Sequence, residues 1–334
     1  MSGKVAVVGT TTWGTTLGIF LARNCIPVTI LARSPDEAKE LNSCREHRRF
    51  LPSVSFPENL MVSDDVAEAV SGARLIIIAV PSHQFRQNVQ WVKKHLPPQA
   101  WVLSATKGLE LSTSMRMSQV LEEELPAHLH PGICVLSGPN LAKEIAQGKP
   151  SSTAIAGKDP ATLAAVQEIL MSPLFRVYTS DDVVGVELGG ALKNIIALGA
   201  GFADGLEIGD NTKAAFITRG VAEITRLGLA AGAQPLTFAG LAGLGDIVAT
   251  CASRLSRNRH VGEQLACGKT WPEIRQSMDN VAEGVNTTEA ALHMAAGLDV
   301  EMPITQVTHR VLFEGLPPHR AIKELMERPP RSEW

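Results

Sequence analysis

Residues 4–31 limit the folds open to this chain more than any other stretch. Lys4-Val5-Ala6-Val7-Val8 is a β-branched run that stops at Gly9. Residues 14–24 then carry Leu17, Phe20 and Leu21 on one helical face, and a second apolar run, 28–31, follows Pro27. Strand, glycine-bearing turn, helix and strand within about 30 residues is the size of a βαβ unit, whose crossover obliges the two strands to run parallel.

Near-continuous apolar runs recur at 75–80, 101–105, 133–136, 153–156 and 175–179, as strands in a sheet covered on both faces require. Helical patterns fall between them at 63–70, 85–95, 115–124, 141–147 and 159–171, the last with an Asp cap followed by proline. Beyond about residue 185 strand runs cease. Segment 186–203 is apolar nearly all round, which predicts a helix buried in a core or between domains. A chain of 334 residues exceeds what one core usually serves. The expected fold is therefore α/β: a doubly wound, Rossmann-like domain over 1–185 and an all-α domain over 186–334.

Composition narrows the setting. A formal net charge of −3 leaves no electrostatic footprint for nucleic acid, and no unbroken apolar run reaches the length of a membrane span. The apolar N-terminal stretch is interrupted by threonines and glycines, unlike a secretion signal. Five widely spaced cysteines, an odd number without a C-x-x-C pair, suit a reduced, cytoplasmic protein and supply no metal-ligand pattern. The oligomeric state is not legible, a homodimer being one option.

The first turn reads Gly9-Thr10-Thr11-Thr12-Trp13-Gly14 against the dinucleotide pattern G-x-G-x-x-G, with Thr11 in place of the middle glycine. A β-branched residue there should crowd a pyrophosphate unless φ is negative and the side chain points away. The P-loop alternative lacks its lysine. Where an acid would bind the adenosine ribose, Ala32-Arg33-Ser34 follows the second strand, and an arginine suits the 2′-phosphate of NADP(H).

Ligands of open parallel sheets sit beyond the carboxyl ends of the strands. Pro81-Ser82-His83, Thr106-Lys107-Gly108 and Ser137-Gly138-Pro139-Asn140 lie there. Lys193 stands inside the apolar segment with no carboxylate nearer in sequence than Glu187; a buried ammonium is costly, and such lysines serve as general acids or bases. Glycine-rich 240–246, followed by Ser256-Arg257-Asn258-Arg259, has the residue types that bind a phosphate, although three arginines in six residues also suit an exposed helix face.

Taken in order, Trp13-Gly14-Thr15, Ala105-Thr106-Lys107-Gly108, Ser137-Gly138-Pro139-Asn140, Gly190-Ala191-Leu192-Lys193-Asn194, Gly243-Leu244-Gly245-Asp246, Ser256-Arg257-Asn258-Arg259 and Ala282-Glu283-Gly284 closely resemble the NAD(P)-dependent sn-glycerol-3-phosphate dehydrogenases of bacterial type, over residues 4 to 325. The resemblance implies interconversion of dihydroxyacetone phosphate and sn-glycerol 3-phosphate with NAD or NADP, supplying phospholipid synthesis. It makes Lys193 the proton donor and acceptor, with Lys107 touching both cofactor and substrate. It further implies cofactor contacts from Thr12, Trp13, Arg33, Ala142, Arg257, Val281 and Glu283, and a substrate site of Gly138, Asn140, Asp246, Ser256, Arg257 and Asn258. Thr11 departs from the family glycine, and Asn140 stands where a serine is frequent. A β-hydroxyacid dehydrogenase acting on a carboxylate, or a dinucleotide sensor without turnover, are the competing readings.

Overall fold

Eight strands, β1 (Lys4–Val8), β2 (Val28–Leu31), β3 (Leu60–Ser63), β4 (Ala73–Ile78), β5 (Trp101–Ser104), β6 (Ile133–Ser137), β7 (Ser151–Gly157) and β8 (Phe175–Ser180), form one sheet in the order β3-β2-β1-β4-β5-β6-β7-β8. The computed structural model describes residues 3–278, 281–330 and 332–333. All neighbouring strands run parallel except β6 and β7. Alternation along β1 divides the core: Val5 and Val7 pack with Leu17 and Leu21 on one face, while Ala6 and Val8 pack with Phe85, Val89 and Leu121 on the other. Helices α1 (Thr12–Arg23), α2 (Pro35–Cys44), α3 (Val66–Val70), α4 (Phe85–Val92), α5 (Met117–Glu124), α6 (Ala142–Ala146) and α7 (Pro160–Leu170) supply the cover. Because β1 lies between β2 and β4, chain direction across the sheet reverses there, which opens a crevice beyond the ends of these strands.

Three local features differ from expectation. Strand β3 and helix α2 carry too little apolar periodicity to be read; only Ala38 and Leu41 of α2 are buried. Residues 63–65 are not helical, because the Asp65 carboxylate accepts from the amides of Ala67 and Glu68 and starts α3 at Val66. Strand β7 returns antiparallel to β6, since the intervening α6 packs on α1, where Thr16 and Arg23 donate to the carbonyls of Ala142 and Ala146.

The rest is helical: α8 (Val183–Gly205), α9 (Asp210–Ala230), α10 (Pro235–Ala239), α11 (Asp246–Ala252), α12 (Arg257–Ala266), α13 (Trp271–Gln276), α14 (Glu283–Gly297), α15 (Pro303–Phe313) and α16 (Pro318–Met326). Every residue from Gly185 to Ala203 of α8 is buried. Helix α12 runs along α8 at backbone contact: a Cβ on Gly201 would lie 2.1 Å from the Arg259 carbonyl oxygen, and one on Gly262 would lie 2.0 Å from that of Leu198. A π-helical turn, Leu241–Gly245, joins α10 to α11. By length and hydropathy alone two helical stretches, Val183–Gly205 and Pro235–Ala252, are long and apolar enough to cross a bilayer; 83% of the apolar 18-residue window of the first is buried inside the structure, as in the core helix of the helical half.

Two carboxylates, one buried and one half-buried, tie the helices to the sheet domain. Glu187 of α8 accepts from the Ser118 amide and hydroxyl and from Arg116, and Glu283 of α14 accepts from the Ser82 amide and hydroxyl.

Candidate active site

Lys193 projects from the middle of α8 toward the first turn of α11. Its Nζ donates to Asp246 Oδ1 at 2.7 Å and to Thr250 Oγ1 at 2.5 Å, and the Thr250 hydroxyl donates to the same carboxylate oxygen at 3.2 Å. Lys107, at the end of β5, donates to Asp246 Oδ2 at 2.6 Å and to the Gly138 carbonyl at 2.8 Å. The lysine that has no nearby carboxylate in sequence thus has one in space, delivered by the π turn that precedes Asp246. Each ammonium has three N–H groups and commits two, so each retains one donor, both held on a single buried carboxylate. Burial pushes the Lys107 ammonium down to about 8; Asp246 works against this, and the charge of Lys193 adds to it. Beside this cluster, burial raises the Cys251 thiol to about 12, which keeps it protonated. The buried Ser137 hydroxyl has no protein partner and faces the Gly190 backbone, where a Cβ would come within 2.2 Å of it.

Ser256 caps α12, its hydroxyl accepting from the Arg259 amide at 3.2 Å, so that the first amides of the helix point outward as an anion site. The Asn258 side chain donates to Asn194 Oδ1 at 2.8 Å and accepts from the Gly284 amide at 3.0 Å. This joins the α12 end to the residue after Lys193 and to the start of α14. Arg257 is exposed at the rim. Asn140 is turned to β7, donating to Thr153 Oγ1 at 2.9 Å and accepting from Ser151 at 3.4 Å.

At the other end of the crevice Gly9, with φ +111°, turns the chain so tightly under β4 that a Cβ would meet the Ala79 carbonyl oxygen at 2.9 Å. Thr11 has φ −63°, as a β-branched residue demands, and its hydroxyl caps α1 by accepting from the Gly14 amide at 3.0 Å while donating to the Ala79 carbonyl at 2.7 Å. The first-turn amides of Thr12 and Trp13 have no intrahelical acceptor, and the buried Trp13 indole N–H has no partner. These open donors at a helix N-terminus fit a dinucleotide pyrophosphate. Arg33 stands at the end of β2 with its guanidinium on Gln84 Oε1 at 2.7 Å. Ala142 opens α6 against α1, and Val281 precedes α14. Glu283, expected at the cofactor, has both oxygens on Ser82; burial raises its carboxyl, while the Ser82 bonds and Arg257 oppose the rise.

Sequence reasoning assigns no role to Thr250, Asn194, Ser82 or Glu37. The first was findable, since Asp246 and Thr250 are four apart and share a helix face. Asn194 adjoins Lys193, but its partner Asn258 is far along the chain.

Models of the NAD-dependent glycerol-3-phosphate dehydrogenase N-terminus and C-terminus match residues 4–163 and 182–323 respectively. The chain is 48% identical over 324 residues to the glycerol-3-phosphate dehydrogenase (NAD(P)+) of Dehalococcoides mccartyi, covering 97% of this chain and 90% of that protein. It is 45% identical over 333 residues to its counterpart in Geobacter sp., covering 100% and 99%. The crystal structure of glycerol-3-phosphate dehydrogenase from Coxiella burnetii superposes with a TM-score of 0.93 at 36% identity, covering 98% of this chain and 99% of that one.

Proposed function

Because the chain belongs to the NAD-dependent glycerol-3-phosphate dehydrogenase family, we propose that the paired lysines on Asp246 are the centre at which it interconverts dihydroxyacetone phosphate and sn-glycerol 3-phosphate with NAD(P)(H). The reaction would serve phospholipid synthesis in the cytoplasm. Residues 1–185 form the dinucleotide-binding unit and 186–334 the substrate-binding and catalytic unit; the end of the last strand at Ser180 supports this division.

The dinucleotide, when bound, supplies or takes the hydride. In the reducing direction negative charge grows on the carbonyl oxygen, and the uncommitted N–H of Lys193 both stabilises that oxygen and protonates it. Asp246 and Thr250 hold the ammonium in place during the transfer and accept no proton themselves. Lys107 brings a second positive charge to the same oxygen or to its neighbour. The α12 amides, with Ser256, Arg257 and Asn258, hold the substrate phosphate, whose binding energy fixes the carbonyl against Lys193. Gly138 and Asn140 close the substrate side. Thr12, Trp13, Arg33, Ala142, Val281 and Glu283 face the cofactor, with Lys107 and Arg257 shared between the two ligands.

The convergence of Lys193 and Lys107 on one carboxylate, each with a donor to spare, carries this reading. Following NADPH or NADH absorbance with dihydroxyacetone phosphate tests it. Turnover is expected, and no turnover with either cofactor would overturn it.

A further inference from the structure

Many dinucleotide-binding folds grip the adenosine ribose with an acid at the end of the second strand, because a 2′-hydroxyl has a proton to donate. Residues 32–34 lack that acid, yet a carboxylate reaches the same place from the first turn of α2. Glu37 Oε2 accepts from the Arg33 amide at 3.0 Å, and its Oε1 accepts from the Thr10 hydroxyl at 2.6 Å. Both oxygens therefore lie between the ends of β1 and β2, half-buried. Neither bond is to a charged side chain, and the Arg33 guanidinium, one peptide from the carboxylate, is on Gln84 instead.

We propose that Glu37 sets the cofactor preference, accepting the 2′-hydroxyl of NAD(H) and repelling the 2′-phosphate of NADP(H) beside Arg33, so that two opposed neighbours keep both cofactors in use. The inference rests on the dinucleotide reading above. The charges and donors decide the direction. A 2′-phosphate would have to take the Arg33 amide and the Thr10 hydroxyl from Glu37, against the repulsion of two anions. A 2′-hydroxyl needs neither, and donates into the carboxylate as it stands.

Glu37→Gln tests this, since it removes the charge and keeps the volume and one acceptor oxygen. The turn should survive, because the Thr10 carbonyl is also held by His47 Nε2 at 3.0 Å and by the Thr15 hydroxyl at 3.3 Å. Dissociation constants of NAD+ and NADP+ are measured calorimetrically on the full chain without substrate. The affinity ratio should move at least about tenfold toward NADP+, the size of losing one charge-assisted hydrogen bond. An equal change for both ligands would mean that Glu37 acts only through Thr10, and an unchanged ratio would mean that it lies outside the ribose site; either overturns the proposal. If the wild type binds both dinucleotides but does not turn over dihydroxyacetone phosphate, the proposed function fails while the binding ratio still decides the role of Glu37. If it binds neither, both fail.

Discussion

Thr11→Gly restores the residue that the dinucleotide pattern calls for, and the structure says what this costs. The Thr11 hydroxyl makes two bonds, to the Gly14 amide and to the Ala79 carbonyl. Replacing a Thr cap by Gly costs a few tenths of a kcal/mol. Losing the bond to Ala79 costs about 1 kcal/mol, and the added freedom of glycine in the unfolded chain a further 0.5 to 1, roughly. The ligand-free variant should therefore be about 2 kcal/mol less stable to urea. Cofactor binding should move the other way: not through relieved crowding, since the side chain already points into the turn, but because the Gly14 amide is released to the pyrophosphate. One charge-assisted bond, net of solvation, tightens binding by about tenfold. Urea unfolding of the ligand-free protein and calorimetric titration with NADP+ measure the two effects separately. Weaker binding at unchanged stability would refute the reasoning, because it would place the hydroxyl on the cofactor.

Lys193→Ala should lower kcat by about 10² to 10⁴ while the dinucleotide dissociation constant stays put; near-normal kcat removes Lys193 from proton transfer. Arg257→Ala should raise KM for dihydroxyacetone phosphate and erase most of its advantage over unphosphorylated dihydroxyacetone, which steady-state comparison of the two substrates reads directly. With Lys107 held down to about 8, kcat/KM for the substrate should fall as pH rises through that value, and Lys107→Met should lack this limb. Stability runs oppositely. Between about 8 and the ordinary lysine value the unfolded chain binds more protons than the folded one, so this group adds stability as pH rises, a trend urea midpoints would show.

What was legible in the sequence follows from how local each signal is. The buried parallel strands announce themselves because both faces are covered, as at Leu75-Ile76-Ile77-Ile78, and the cap Asp159 sits beside the helix it starts. Strand β3, at the sheet edge, is only four residues long, and the charged α2 buries only Ala38 and Leu41, so neither leaves a readable period. The antiparallel return of β7 depends on α6 packing against α1, more than a hundred residues away along the chain. At the site, single residue types in good positions, such as Lys107 at a strand end, could be picked out. Their pairing could not: Lys193 meets Asp246 across 53 residues, and Glu37 reaches the end of β2 only through the course of the turn before it.

The backbone contact between α8 and α12 bears on how this protein can be engineered. Exchanging helical glycines for alanine is a routine way to stabilise a protein, gaining about 0.4 to 1 kcal/mol where the site has room. At Gly201 and Gly262 there is none, for the new methyl would stand within 2.1 Å and 2.0 Å of a carbonyl oxygen on the facing helix. The helices would have to part, and α12 carries Ser256, Arg257 and Asn258 at its leading end while α8 carries Lys193 and Asn194. A thermostability library that treats these glycines as neutral would be altering the spacing between the phosphate grip and the proton donor, so it should leave both positions fixed.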